Sequence, residues 1–150
     1  MRSLRSILLT GGAGFIGSAL TRALLYQPHL EHLVILDSLT YAGNRANLLG
    51  PDQDPRLNFI EGDVGDGSLV SELLKKFKCS GIMHLAAETH VDQSIKQPAK
   101  FITTNVNGTF SLLDIARHHS VALLQCSTDE VYGPIATPTK ADESFHLKPS

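Results

Sequence analysis

A doubly wound parallel sheet with helices on both faces, a three-layer α/β sandwich, is the fold this chain predicts. Short apolar runs alternate with amphipathic stretches along the sequence, the pattern of successive βα units. The apolar runs are mostly continuous, as strands covered on both faces must be. The first of them enters a glycine turn and then a helix, in SILLTGGAGFIGSALTRAL (6–24), which is the βα arrangement that binds phosphate groups.

The candidate strands are Ser6–Thr10, His32–Asp37, Leu57–Glu61, Gly81–Ala86 and Ala122–Ser127. They are expected to be parallel in the order 3-2-1-4-5, with Ser127 ending the last. The first helix spans Gly14–Tyr26. Leu69, Val70, Leu73, Leu74 and Phe77 recur at i, i+1, i+4, i+5 and i+8 and mark a second. A longer helix starts near Pro98 and runs towards His118, with Phe101, Ile102, Val106, Phe110, Leu113 and Ala116 sharing a buried face. A short helix at Asn44–Leu49 ends at Gly50-Pro51. From Tyr132 to Ser150 the four residues Gly133, Pro134, Pro138 and Pro149 break any period, so this stretch is expected to be a disordered end or a lead into further chain. The sheet is therefore expected to be truncated after its fifth strand, which stays an edge open to association.

With 150 residues, 42% of them hydrophobic, the chain can bury the core of one domain. A net charge of −2 without a basic block gives no basis for nucleic-acid or membrane-surface binding. Cys79 and Cys126 lie in separate apolar runs and are expected to be buried, reduced thiols, not a disulfide or metal site. Without a long apolar segment or a signal-peptide pattern, the expected location is the cytoplasm.

Gly11, Gly12, Gly14 and Gly17 satisfy G-x-x-G-x-x-G and G-x-G-x-x-G. The first permit a tight turn, Gly14 admits a pyrophosphate close to backbone N–H groups, and Gly17 lets the helix pack on the strand. The helix N-terminus turns free donors and a positive dipole end to the anion. Asp37 stands twenty positions beyond Gly17 at the end of HLVILD. A carboxylate there accepts both ribose hydroxyls of an adenosine and repels a 2′-phosphate, so the expected cofactor is NAD and not NADP. Polar segments follow the other strands too: Asp37-Ser38-Leu39-Thr40, Gly62-Asp63-Val64, Leu85-Ala86-Ala87-Glu88-Thr89-His90 and Ser127-Thr128-Asp129-Glu130. Ligands of open parallel sheets bind at such strand ends. Asp63 is placed to accept an adenine amino hydrogen. His84, inside an apolar strand, is read as a hydrogen-bonded core histidine. His90 is either a cleft residue or loop packing. His118 and His119 suit a helix C-terminus, and Glu88 is read as a loop carboxylate without a role.

The segments TGGAGFIGS, LDSLTYAGN, GDV, HLAAETHVDQS, FITTNVNGT and STDEVYG together resemble the extended short-chain dehydrogenase/reductase family, and within it the nucleotide-sugar 4,6-dehydratases, over essentially the whole chain. The resemblance implies a Rossmann-like fold, NAD as cofactor, a nucleotide-sugar substrate (dTDP-glucose in the intact family) and homodimers. It places Gly11, Gly14, Phe15, Ile16, Gly17, Asp37, Ser38, Leu39, Thr40, Asp63, Val64, Leu85, Ala86, Ala87, Thr89 and Thr104 on the cofactor, and Thr89, His90 and Thr128 on the substrate. Thr128-Asp129-Glu130 separates dehydratases from the related epimerases and decarboxylases, which usually carry small residues there. Ser38 and Gln93 stand where many relatives have basic residues.

By that resemblance Glu130 removes the sugar C5 proton, Asp129 protonates the departing C6 hydroxyl and Thr128 hydrogen-bonds the C4 oxygen. Glu130 must then start ionised and Asp129 protonated, so like-charge proximity and unequal burial are expected to separate their pKa values. Neighbours on a strand point to opposite faces, so the backbone is expected to leave the strand conformation at Thr128. The family's Tyr-x-x-x-Lys pair is absent from these residues, and Tyr132 belongs to a structural VYG turn. The expectation is an NAD-binding domain lacking the C-terminal substrate-binding part and inactive by itself. The alternatives are a non-catalytic NAD-binding module and an epimerase-type relative.

Overall fold

The computed structural model describes residues 4–149. Its strands are β1 (Ser6–Thr10), β2 (His32–Asp37), β3 (Leu57–Glu61), β4 (Gly81–His84) and β5 (Ala122–Gln125). All pair in parallel, in the order β3-β2-β1-β4-β5, so the predicted topology holds. β1, β2 and β3 have the predicted bounds, while β4 and β5 each stop two residues short of theirs. Beyond His84 the Leu85 N–H is shared between Thr10 O at 3.2 Å and the Thr10 hydroxyl at 3.3 Å, the Ala86 N–H goes to that hydroxyl at 3.3 Å, and the ladder ends.

The helices are α1 (Phe15–Leu25), α2 (Gly67–Lys76), α3 (Val91–Lys96), α4 (Pro98–Phe101) and α5 (Thr109–His119). Asp66 caps α2 by accepting from Leu69 N at 3.0 Å. Ser120 ends α5 in a left-handed conformation, behind a last turn carrying Arg117, His118 and His119. The predicted short helix is a tight turn at Arg45–Leu48, capped by Asn44.

Strand alternation divides the core in two. Leu8, Val34, Leu36 and Ile82 face α2 and α5 through Val70, Leu73, Leu74, Leu112 and Ala116. Ile7, Leu9, Leu33 and Ile35 face α1, with Leu20, Leu24 and Leu25 packed against them. Two residues that are neighbours on a strand thus serve opposite layers, which is what makes the sheet's runs continuously apolar.

The long helix departs from its predicted face. Ile102, Val106, Phe110 and Leu113 are exposed, Phe101 is half-buried, and the buried positions are Gly108, Leu112 and Ala116. The run has two apolar faces, and the one that packs on the sheet carries Leu112 and Ala116; a π-helical stretch at Ile102–Gly108 joins α4 to α5. In that stretch Gly108 comes so close to Val64 that a Cβ would lie 2.9 Å from Val64 Cγ2.

Cys79 is buried, and burial pushes its thiol up to about 12. Cys126, expected to be buried, is exposed. It follows β5, an edge strand on which Ala122, Leu124 and Gln125 are also exposed. After the turn at Asp129–Tyr132 the chain has no further helix or strand up to residue 149. It doubles back all the same: Lys148 N–H donates to Val131 O at 3.0 Å, and the Phe145 ring meets Tyr132 edge-on at 6.1 Å.

Candidate functional site

The turn after β1 and the loop after β2 form one preassembled floor. Gly11 takes φ +70°, and a Cβ there would lie 2.6 Å from Ala86 N, so only glycine fits between the turn and the loop after β4. Gly17 has no room for a Cβ either, because the backbone of Gly11 and Gly12 fills that place. Gly14 differs: the nearest atoms to a Cβ there are Gly11 O at 3.3 Å and Ala42 O at 3.8 Å. The first turn of α1 has no side-chain cap and no acidic residue, so its N–H groups are left for a ligand.

Asp37 is buried at the end of β2. Its Oδ2 accepts from Ala13 N and its Oδ1 from Leu39 N, both at 2.9 Å. The second bond closes an Asx-type turn that holds Leu39 at φ 49°, a conformation costing a non-glycine residue about 1–3 kcal/mol. Gly43 packs on the same carboxylate, where a Cβ would stand 2.5 Å from Oδ1. The loop is tied back to the glycine turn by Asn44 N and Asn47 Nδ2, both donating to Ala13 O. Asp37 is thus oriented by backbone donors while each oxygen keeps a second lone pair. Ser38 and Thr40 flank the carboxylate in this loop, Thr40 fully exposed.

After β3, Asp63 accepts from Gly65 N at 2.7 Å, whereas the Val64 side chain lies in the core. After β4, Leu85 and Ala86 are half-buried, and Thr89 and His90 are exposed. Thr89 and His90 border a shallow, solvent-open depression with Val91 and Asp92. Thr104 lies half-buried in the π-helical stretch.

His84 is the predicted core histidine and it braces this end of the sheet. The Thr10 hydroxyl accepts the Ala86 N–H and a share of the Leu85 N–H, which assigns its own hydrogen to His84 Nδ1 at 2.6 Å. Nε2 then carries the ring proton and donates to Thr109 Oγ1 at 3.1 Å. Burial pushes the imidazole down to about 4. An unfolded histidine takes its proton near pH 6.5, so the unfolded state binds more protons between these values. Stability from this group is complete above pH 6.5 and is lost as pH falls towards 4, by about 3 kcal/mol. Urea unfolding at a series of pH values checks this: His84→Gln should remove about one proton from the pH slope in that window, and an unchanged slope contradicts it.

Thr128, Asp129 and Glu130 are all exposed beyond β5. Thr128 itself stays extended and the helical turn begins at Asp129, one residue later than expected. The Thr128 hydroxyl accepts from Glu130 N at 3.2 Å and lies 3.3 Å from Asp129 Oδ1, to which it donates. The turn brings the two carboxylates out of strand alternation. Burial does not distinguish them here, contrary to expectation. Among the described residues no hydrogen bond joins this turn to the Thr89–His90 loop.

The sequence does not announce one ion pair, in which the carboxylate is buried and the ammonium half-exposed. Glu88, expected to be an ordinary loop carboxylate, has a side chain 4% exposed and pairs with Lys100 Nζ at 2.8 Å. Asn105 clamps its backbone, accepting from Glu88 N at 2.8 Å and donating to Glu88 O at 2.9 Å. The Tyr41 hydroxyl accepts from Thr89 N and His90 N, 3.1 Å from each. No local spacing announces these contacts, since the partners come from three separate segments.

The GDP-mannose 4,6 dehydratase family model matches residues 8–150. The chain is 41% identical to a dTDP-glucose 4,6-dehydratase of Salmonella typhimurium over 94% of its own length and 42% of that protein's. It superposes with a TM-score of 0.87 on DesIV, a dTDP-glucose 4,6-dehydratase from Streptomyces venezuelae solved with NAD, at 46% identity over 96% of this chain and 45% of that one. A UDP-glucose 4-epimerase from Thermus thermophilus in complex with NAD gives a TM-score of 0.81 at 29% identity, over 96% of this chain and 44% of that one. The chain therefore spans less than half the length of these relatives, and it belongs to the GDP-mannose 4,6-dehydratase family within the extended short-chain dehydrogenases/reductases.

Proposed function

We propose that the chain carries the cofactor site and the elimination residues of an NAD-dependent dehydratase acting on a nucleotide-activated glucose, of the dTDP-glucose type. The observation that supports this best is the acid pair Asp129-Glu130 behind Thr128, on a turn at the carboxyl end of β5. It stands at the same end of the sheet as the glycine turn and Asp37. An epimerase needs no such pair. The likeness to UDP-glucose 4-epimerase supports the shared fold and cofactor, and the acid pair favours dehydration over it.

The residues present fit NAD. No side chain crowds Gly14, the donors of α1 are uncapped, and Asp37 is fixed with lone pairs to spare. Gly11, Gly14, Phe15, Ile16 and Gly17 would hold the pyrophosphate; Asp37, with Ser38, Leu39 and Thr40, the adenosine ribose; Asp63 and the Val64 backbone the adenine. Leu85, Ala86, Ala87, Thr89 and Thr104 would line the nicotinamide side. Bound there, NAD supplies the hydride acceptor for sugar C4 and the hydride donor for C6. Thr128 holds the C4 oxygen, Glu130 takes the proton from C5, which the neighbouring ketone acidifies, and Asp129 delivers a proton to the leaving C6 hydroxyl. His90 and Thr89 line the sugar side.

A cytoplasmic setting and a homodimer complete the proposal. Among the described residues no helix is long and apolar enough to cross a membrane, and Ile102, Val106, Phe110 and Leu113 offer an exposed apolar stripe for a second copy.

Calorimetric titration of the purified chain with NAD tests the cofactor site. Asp37→Ala is expected to weaken binding by about 1.5–3 kcal/mol, the worth of a charge-assisted hydrogen bond. Unchanged affinity would show that Asp37 does not hold the ribose.

A further inference from the structure

Tyr41 spends its hydroxyl on backbone although its side chain is exposed. A tyrosine kept only for packing would be buried. Its oxygen takes the N–H groups of two consecutive residues in the loop after β4, and its ring meets the His90 ring edge-on at 6.1 Å. Lys100 Nζ lies 5.8 Å from the centre of the same ring and 2.8 Å from the buried Glu88 carboxylate. That ammonium therefore joins a cation–π contact to an ion pair. Asn105 bonds both sides of the Glu88 residue, fixing the far end of the connection to the helical run that starts at Pro98. The near end is fixed as well, because the Tyr41 loop is bonded to the glycine turn through Asn44 N and Ala13 O at 3.1 Å.

We propose that Tyr41, Lys100 and Glu88 form a strut between the loop after β2 and the loop after β4, positioning Thr89 and His90 at a set distance from Asp37 across the ligand crevice. They are positioning residues: they hold the loop that lines the nicotinamide and sugar side and make no contact with the reacting atoms. The strut rests on the strand ends being a dinucleotide site. Its signature is selective. It governs ligands that reach the loop after β4, and spares those that occupy only the glycine turn and the Asp37 side.

The test compares ADP with NAD on the 150-residue chain by calorimetry, with amide exchange read by NMR. Tyr41→Phe keeps the ring and removes the acceptor of both N–H groups. It is expected to lower NAD affinity about tenfold, leave ADP affinity within about twofold, and speed exchange at Thr89 and His90 about tenfold, with Leu8 and Val34 unchanged. Lys100→Met should reproduce the NAD-selective loss, and Lys100→Arg should recover most of it, since a guanidinium keeps both the ion pair and the ring contact. The strut is overturned if ADP and NAD affinities fall together, if neither falls, or if the wild-type chain binds NAD no more tightly than ADP. A wild-type chain that binds neither ligand refutes the dinucleotide site itself, and the strut with it.

Discussion

Incubated with dTDP-glucose and NAD, the 150-residue chain alone is expected to form no 4-keto-6-deoxy product above background. Elimination across C5 and C6 requires a ketone at C4 first, and that oxidation needs a base for the C4 hydroxyl. The family's Tyr-x-x-x-Lys pair is not in these residues: Leu30, Arg45 and Ala136 stand four positions after Tyr26, Tyr41 and Tyr132. Arg45 comes nearest in character, but its guanidinium is stacked on the Phe59 ring at 4.5 Å. Adding a segment that supplies the pair, fused or in trans, is expected to restore turnover. In that restored enzyme Asp129→Asn and Glu130→Gln should each cost about 10²–10⁴ in rate, the usual worth of a positioned acid or base. Coupled chromatography and mass spectrometry of the product read both results. Robust product from the chain alone would require another base, Tyr132 being the nearest by sequence.

Gly17→Ala should be the most damaging single substitution in the glycine turn. A Cβ at this position meets the backbone of Gly11 and Gly12 and not a flexible side chain, so α1 must move off β1. Overpacking costs about 1–3 kcal/mol where side chains can yield, and here about 3 kcal/mol or more is expected because they cannot. NAD binding should be lost with it, since the displaced helix carries the donors. Gly14→Ala is the informative contrast: its Cβ meets Gly11 O at 3.3 Å and Ala42 O at 3.8 Å and nothing closer, so urea stability should fall much less than in Gly17→Ala while NAD affinity falls. Equal stability loss in both variants would remove the distinction between a packing glycine and a ligand-facing one.

Much of this is legible in the residues, for reasons that also mark the limits. The bounds of β1, β2 and β3 follow from apolar runs closed by turn residues. β4 and β5 read two residues too long because Leu85, Ala86, Cys126 and Ser127 look strand-like, and the Thr10 hydroxyl that takes the Ala86 N–H is more than seventy positions distant. The buried face of the long helix is misread because the run has two apolar faces: the residues at 102, 106, 110 and 113 keep a convincing period while facing outward, and Leu112 and Ala116 face the core. Asp37 is legible from its distance to the glycine turn. Its orientation by the Ala13 and Leu39 N–H groups is not, because backbone donors have no sequence signature. Glu88 looks ordinary for want of a visible partner, and that partner, Lys100, lies on a helical segment whose phase the sequence misjudges.

The most direct test of the proposed chemistry is the reaction run in D2O with the restored enzyme. Glu130 removes the C5 proton to solvent-exchangeable sites, the C6 hydroxyl leaves as water, hydride returns to C6, and C5 takes a proton from solvent. The proposal therefore predicts a 4-keto-6-deoxy sugar carrying a single deuterium at C5, abolished by Glu130→Gln. A C4-epimerised sugar without deuterium would contradict it and assign the strand-end triplet to a different reaction.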